Sequence, residues 1–502
     1  MPQTLMPRPP LVTLRPLHLV LLSTLSLGAC TTVHVDVPPA SIQAPAHFEH
    51  QDNALTKGVD LAQWWRAIAD PTLSALIEQG LKGNADIRMA IARVSEARAV
   101  VSQAESALYP TLQGFGYTAH TDARQIDLSV PNVSVPGLPP LSSVSALSPL
   151  ANPPASHGNG LGLSAAWEVD VFGSRRSDAE AARGAALAHE ERLHGVQLVV
   201  AGDIAANYVE ARSLERRLDV LQRSVSQTER LRRYVQGRFE AGQATRYDID
   251  RVQAQLQALQ GARAPLQNLL QSRLRRIAVL TGQLPSQWPH LPAPDALAPA
   301  DGSVIPSQLP DLLPSDVLER RPDVRGAAQI VRAQAARLGS AKADLLPRFY
   351  LGFLANDGRI EIGDLATSGR LVSWGAGLRL PIFEGGRLRA RIQASDAQLQ
   401  AAVTQYEQAV LGALEDVENA YSTRRALDQR SQQVRAALST AQVGARHAQR
   451  LFEEGNGLLQ GAVEAQLVAL QREDELIQAE TARALVTVAL YKAVGGGWPQ
   501  PH

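Results

Sequence analysis

Cysteine is almost absent. Cys30 is the only one in 502 residues, which excludes internal disulfides and any cysteine-based metal site. Apolar runs of membrane-helix length are also missing. The run from Leu17 to Leu27 holds eleven residues, against the ~20 that a spanning helix needs. If this chain crosses a membrane it must do so as strands. Neither sign of charge dominates: 49 basic residues face 49 acidic ones. Nothing suggests the concentrated basic surface of a nucleic-acid binder. Catalytic constellations are lacking too, with no GxSxG, Walker A or GxGxxG match. His189-Glu190-Glu191-Arg192-Leu193-His194 approaches a zinc-protease helix motif, but its histidines are five apart. Zinc on one helix face needs a spacing of four. His34, His47 and His50 are too loosely placed to argue a metal site. The chain is expected to be no enzyme and to hold no metal or cofactor.

What is present begins at the N-terminus. Arg8 and Arg15 precede the apolar run, and Leu27-Gly28-Ala29-Cys30 closes it. A basic start, a short apolar stretch and a small-residue cleavage site make a secretory signal. The last four residues look like a bacterial lipobox, so Cys30 is the expected lipidated first residue. A chain starting there carries 47 basic and 49 acidic residues, a net charge of −2. The next residue is Thr31 rather than Asp, which in lipoproteins of this kind favours the outer membrane.

A two-fold internal repeat organises the rest. Asn84 to Pro110 pairs with Arg321 to Pro347 at a shift of 237 without a gap. Asp86, Arg88, Ala90, Val94, Ala99, Ala104, Leu108 and Pro110 fall on Asp323, Arg325, Ala327, Val331, Ala336, Ala341, Leu345 and Pro347. Such a repeat sets the architecture. Two strand-like segments follow in each copy. In 160–172, Leu161, Leu163, Ala165, Trp167, Val169 and Val171 alternate with small or polar residues. In 373–383, Trp374, Ala376, Leu378, Leu380 and Ile382 do the same. Earlier strands are expected at 111–118, with Phe115 and Tyr117, and at 348–354, with Phe349, Leu351 and Phe353. The period of two fits either a soluble amphipathic sheet or a membrane barrel. Four strands are too few to close a barrel alone, since bacterial barrels have about eight or more. A barrel must therefore be shared between subunits. A shift of 211 aligns Phe172 with Phe383 and Glu168 with Arg379, two polar-face ions that either pair across the lumen wall or stay solvated, and makes the 118–160 connection 26 residues longer than its counterpart near 355–371.

Long helices follow each second strand. Ser174 to Glu240 and Gly385 to Glu453 are free of proline and rich in Ala, Leu, Gln, Glu and Arg, all good helix formers. Each would reach roughly 100 Å at 1.5 Å per residue. Gly242 and Gly455 interrupt them, and second helices are expected to return over 246–280 and 459–494, making αα-hairpins. The expected divisions are a signal peptide (1–29), an N-terminal arm and equatorial segment (30–83), a first repeat (84–282), a Pro-rich linker (283–317), a second repeat (318–496) and a tail (497–502).

Several segments together resemble the TolC-like outer-membrane efflux family, in particular its lipid-anchored, OprM-like and NodT-like branch. They are Trp64-Trp65 with Asp70-Pro71-Thr72-Leu73, Asn84-Ala85-Asp86-Ile87, Glu319-Arg320-Arg321-Pro322-Asp323-Val324, the stretch from Gly242 to Asp248, and the end from Ala489 to Trp498. They span nearly all of 30–498. The resemblance implies a mixed α and transmembrane β fold. In a homotrimer, four strands per chain build a twelve-stranded outer-membrane barrel above a long periplasmic α-helical barrel. It further implies passive conduction, a periplasmic adaptor, an inner-membrane pump of RND type, and export of drugs or other toxic small molecules.

In that family a turn glycine followed six residues later by an acid marks the periplasmic tip. Gly242 and Asp248 match it, whereas the second repeat has Gly455 but Gly461. The resemblance makes Asp248 a gate candidate, with Arg246, Tyr247 and Phe452 beside it. Asp248 is equally suited to a helix N-terminus on charge grounds alone. Gly242, Thr245, Gly455 and Leu458 are the candidate adaptor contacts. Two other readings stay open: an exit duct for type I protein secretion, which shares this architecture, and a lipidated periplasmic adaptor, which normally shows one hairpin and no duplicated frame.

Overall fold

The computed structural model describes residues 33, 35–37, 42, 44–49, 61–68, 70–121, 156–287, 291, 313–362 and 364–496. The expected signal peptide, Cys30, His34, His50 and most of both Pro-rich stretches lie outside them.

A short 3-10 helix, Leu61–Ile68, is followed by α1 (Pro71–Gly83) and α2 (Ala85–Ser106). Then come β1 (Thr111–Thr121), β2 (Ser156–Val169), α3 (Ser174–Glu240) and α4 (Arg246–Leu280). The second half runs α5 (Pro314–Arg320), α6 (Pro322–Ala343), β3 (Arg348–Ile362), β4 (Leu365–Arg379), α7 (Arg387–Glu453) and α8 (Leu459–Ala493). The repeat is therefore structural. Helices α2 and α6 coincide at the shift of 237, while α3 and α7 coincide at 213 rather than 211. Among the described residues no helix is long and apolar enough to cross a membrane.

The motifs of the resemblance are structural pins. Asp70 caps α1: its Oδ1 accepts from the Leu73 amide at 3.0 Å, and Pro71 occupies the first turn, where no amide donor is needed. Asn84 joins α1 to α2. Its Oδ1 accepts from the amides of Asp86 (2.8 Å) and Ile87 (3.2 Å), and its Nδ2 donates to the Leu280 carbonyl at 2.9 Å. Arg321 donates to the Ala493 carbonyl at 3.0 Å and to the carboxylates of Asp323 (2.6 Å) and Asp416 (2.9 Å).

Two compact units divide the chain. One comprises Met1–Pro38, Ala97–Ala185 and Ile330–Ala402; the other comprises Pro39–Glu96, Ala186–Gln329 and Val403–His502. The second holds a large core in which Trp64 is fully buried and stacks on Tyr491 at 5.2 Å, with Trp65, Leu73, Ile77, Ile204 and Tyr208 around it. In the same unit, arginines of α3 reach acids of α8: Arg216 to Glu480, Arg217 to Asp474 and Arg223 to Glu473.

The first unit holds one antiparallel sheet in the order β1-β2-β3-β4. Its strands depart from the expected ends. β1 runs three residues further, to Thr121, and β2 begins earlier and stops at Val169, before Val171 and Phe172. β3 and β4 pair over fifteen residues each, so the stretch read as a loop, 355–371, is mostly strand. The reason is that ladder hydrogen bonds continue where the apolar pattern stops. Asp357, Arg359, Glu361 and Arg370 carry polar side chains on regular strand backbone, and hydrophobic alternation marks only strand surface that is apolar on one side.

Candidate functional site

Register assigns each strand residue to a face. The apolar face carries Leu112, Leu161, Leu163, Phe349, Leu351, Phe353, Val372, Trp374 and Leu378, all exposed, Trp374 at 81%. Solvent-exposed side chains of this size in an unbroken band mark a surface made for another apolar medium. The band begins at Phe349 and gives way to charge at Asp357, a strand length of about 26 Å at ~3.3 Å per residue. At the ~35–45° tilt of barrel strands that length spans roughly 20 Å of the membrane normal, most of the ~25 Å apolar belt of an outer-membrane barrel. Beyond it the same face becomes polar, with Asp357 and Arg370 paired at 3.4 Å and Arg359 and Glu361 at 2.7 Å.

Phe115 and Tyr117 point to the opposite face, away from Phe349, Leu351 and Phe353. There they lie over glycines: a Cβ on Gly162 would meet the Phe115 ring at 2.4 Å, and one on Gly160 the Tyr117 ring at 2.8 Å. Tyr117 also accepts from Asn356 Nδ2 at 3.3 Å. The bare backbone of β2 thus admits aromatic rings from β1.

Glu168 and Arg379 do not pair. Glu168 binds Arg175 at 2.9 Å and Arg348 at 3.3 Å, while the Arg379 guanidinium sits 5.3 Å from the Tyr350 ring centre. Arg348 also contacts Asp344, a buried carboxylate held in addition by Arg391 (2.5 Å) and Ser174 (3.2 Å). This polar knot at the base of the sheet was missed by sequence reading, because Asp344 has no acidic counterpart in the first repeat, where position 107 is Ala.

The two helical turns belong to the other unit, and the structure brings them together. Leu231 and Val235 of α3, Val252 of α4, and Leu459 and Val463 of α8 form one buried cluster, with Phe452 of α7 packed against it. Phe452 therefore acts in packing between hairpins. Both turns end their first helix alike. Gly242 (φ +73°) and Gly455 (φ +80°) adopt the left-handed conformation, with the amides of Gln243 and Asn456 bonded back to the carbonyls of Arg238 (2.7 Å) and Leu451 (2.8 Å).

Their second helices start differently. Thr245 and Asp248 form a reciprocal capping box. Asp248 Oδ2 accepts from the Thr245 amide (2.9 Å) and hydroxyl (2.7 Å), and the Asp248 amide donates to Thr245 Oγ1 at 3.3 Å. These bonds, backbone first, hold the Asp248 carboxyl below its ordinary pKa, with Arg251 and Arg238 adding to the effect. Leu458 caps α8 without any side-chain bond and is exposed. Arg246 pairs with Asp250 on its own helix at 3.1 Å, and Tyr247 is exposed. Gly242, Thr245 and Gly455 are exposed as well. His47 is exposed, and among the described residues no group of three or more His, Cys, Asp or Glu side chains converges as a metal site.

A family model described as outer membrane efflux protein matches residues 76–283 and 313–496, across both repeats. The chain belongs to the outer membrane efflux protein family. It is a TolC-like protein of the outer membrane. The pyoverdine export outer membrane protein OpmQ of Pseudomonas putida is 28% identical, covering 96% of this chain and 98% of its own. The probable outer membrane lipoprotein SilC of Salmonella typhimurium is 23% identical over 96% and 99%. Among solved structures, the outer-membrane channel OprN is 27% identical with a TM-score of 0.75, covering 94% of this chain and all of that one. The open state of the Neisseria gonorrhoeae channel MtrE shares the fold, at a TM-score of 0.77 and 23% identity over 93% and 98%. The four-stranded sheet and the long helical hairpins of this efflux protein are thus the fold of a channel family.

Proposed function

We propose that this efflux protein is the exit duct of a tripartite pump, passively conducting small toxic molecules, drugs among them, across the periplasm and outer membrane. The observation that carries the reading is the sheet. Among the described residues β1 and β4 each leave one edge without a strand partner, beside an apolar band that spans most of a barrel's apolar belt. Unpaired edges are not tolerated in lipid, so three copies close one twelve-stranded barrel. The native mass of the detergent-extracted protein tests this: a trimer is expected, and a monomer overturns the reading.

An RND-type inner-membrane pump supplies the energy, and a periplasmic adaptor links it to the turns of the helical hairpins. Exposure of Gly242, Thr245, Gly455 and Leu458 supports those turns as the adaptor contact. A pull-down with the adaptor is expected to fail when bulky residues replace Gly242 and Gly455. In the trimer, Asp248 contributes one carboxylate per chain to the constriction, beside Arg246 and Tyr247, so a ring of three attracts cations. Conductance in planar bilayers tests it: Asp248→Ala should lower cation selectivity, and unchanged selectivity removes the role. Lipid on Cys30 anchors the chain; Cys30→Ser should abolish membrane anchoring and change the electrophoretic mass, and no change in either overturns it. The names of the relatives, pyoverdine export and cation efflux, support small cargo over secreted protein. A susceptibility panel on a deletion strain reads the substrate range.

A further inference from the structure

His120 lies near the end of β1 and His157 near the start of β2, and the register sets them directly opposite each other. Both are exposed on the polar end of the band-bearing face. Their ring centres are 6.1 Å apart with planes at 54°. Glu361 of β3 is the next residue in the same row, directly opposite His157. We propose that His120 and His157 form a cross-strand clip for a borderline divalent transition ion such as Zn²⁺ or Cu²⁺.

Imidazole suits these ions, and nitrogen lies 2.0–2.1 Å from zinc, so the metal stands roughly 3.2 Å from each ring centre. Two such arms reach about 6.4 Å when opposed, so the observed separation lies within span. At a tetrahedral angle the same arms bring the ring centres to about 5.2 Å, so binding closes the 6.1 Å separation by about 1 Å through side-chain rotation. Water fills the remaining positions, because Glu361 is engaged by Arg359 at 2.7 Å and no third ligand-type side chain converges among the described residues.

The placement gives the clip a consequence. His120 and His157 stand at the neck of the 34-residue connection 122–155. An ion bound to both adds a side-chain link one pair inside the last rung of the β1–β2 ladder, Thr121 opposite Ser156, and so opposes fraying of the strand ends there. The helical family fold does not require it, and no motif of the resemblance contains either histidine.

The test uses the full chain, purified in detergent without a polyhistidine tag. Zn²⁺ titration calorimetry should show one saturable site per chain, lost in His120→Gln and equally in His157→Gln, and retained in His47→Gln. Cu²⁺ spin resonance should report two coordinating nitrogens, falling to one in either variant. Trimer mass, read on the same samples, checks that the variants fold and leaves the duct reading independent. Absence of a saturable site, or a site that survives both single substitutions, overturns the clip.

Discussion

Tyr208 is fully buried in the second unit, and its hydroxyl ties two elements together. It donates to Asp70 Oδ2 at 2.6 Å and accepts from Arg212 Nε at 3.1 Å. Asp70 meanwhile caps α1 through its other oxygen. Tyr208→Phe keeps the ring, its place in the core and its position under the Arg212 guanidinium, but deletes the hydroxyl. Arg212 retains Glu215 at 3.0 Å, so the main loss is the bond to the carboxylate. Charge-assisted bonds of this kind contribute about 1.5–3 kcal/mol. We expect about 2 kcal/mol, roughly thirty-fold in the local opening equilibrium. Hydrogen exchange across Pro71–Gly83 and around Tyr208 is the assay, because it reads opening of this region without requiring the whole chain to unfold in two states. Asp70→Asn preserves a capping oxygen, so the double variant isolates the pair. A coupling of at least about 1 kcal/mol is expected for groups in contact. Exchange within about threefold of the parent, or strict additivity of the two changes, refutes the argument.

The same residue predicts alkaline behaviour. Burial first, and then the Asp70 carboxylate, push the Tyr208 phenol well above its usual range, and burial does the same to Tyr491. Both folded-state values are raised, so the folded chain binds more protons at high pH, and stability should fall as pH rises above about 10. Tyr208→Phe should make that fall shallower; an unchanged slope would count against it. Gly162→Val places atoms on the Phe115 ring and on the Ala355 carbonyl, 2.8 Å away. It should cost about 1–3 kcal/mol, read as a lower melting temperature of the detergent-solubilised protein. Gly242→Ala meets no atom within 4 Å, so only its left-handed backbone opposes it; the cost should be about 1–2 kcal/mol, read as faster exchange at the first turn. Thr245→Ala removes the capping oxygen for α4 and should cost about 1 kcal/mol, whereas Leu458→Ala, which loses no cap, should leave exchange at the second turn unchanged.

Much of this protein was legible before any coordinates. The 237-residue shift located α2 and α6, the proline-free stretches located α3 and α7, and the two turn glycines located the hairpin tips. These are local properties: helix propensity, period and the left-handed glycine act within a few residues. The capping box at Thr245 and Asp248 is local too, and the preference of acids for helix starts anticipated it. Tertiary structure alone decided how non-local partners meet. Asn84 reaches the Leu280 carbonyl across 196 positions, Tyr208 reaches Asp70 across 138, and Phe452 joins a cluster drawn from three other helices. Glu168 chose Arg348 over Arg379, and Phe115 chose the glycine face, because strand register sets which side chains are neighbours. Register is fixed by the sum of all ladder bonds and packed rows, so no single segment encodes it. The polar ends of β3 and β4 escaped notice for a related reason: backbone pairing formed them, and apolar alternation marks only strand with one apolar face.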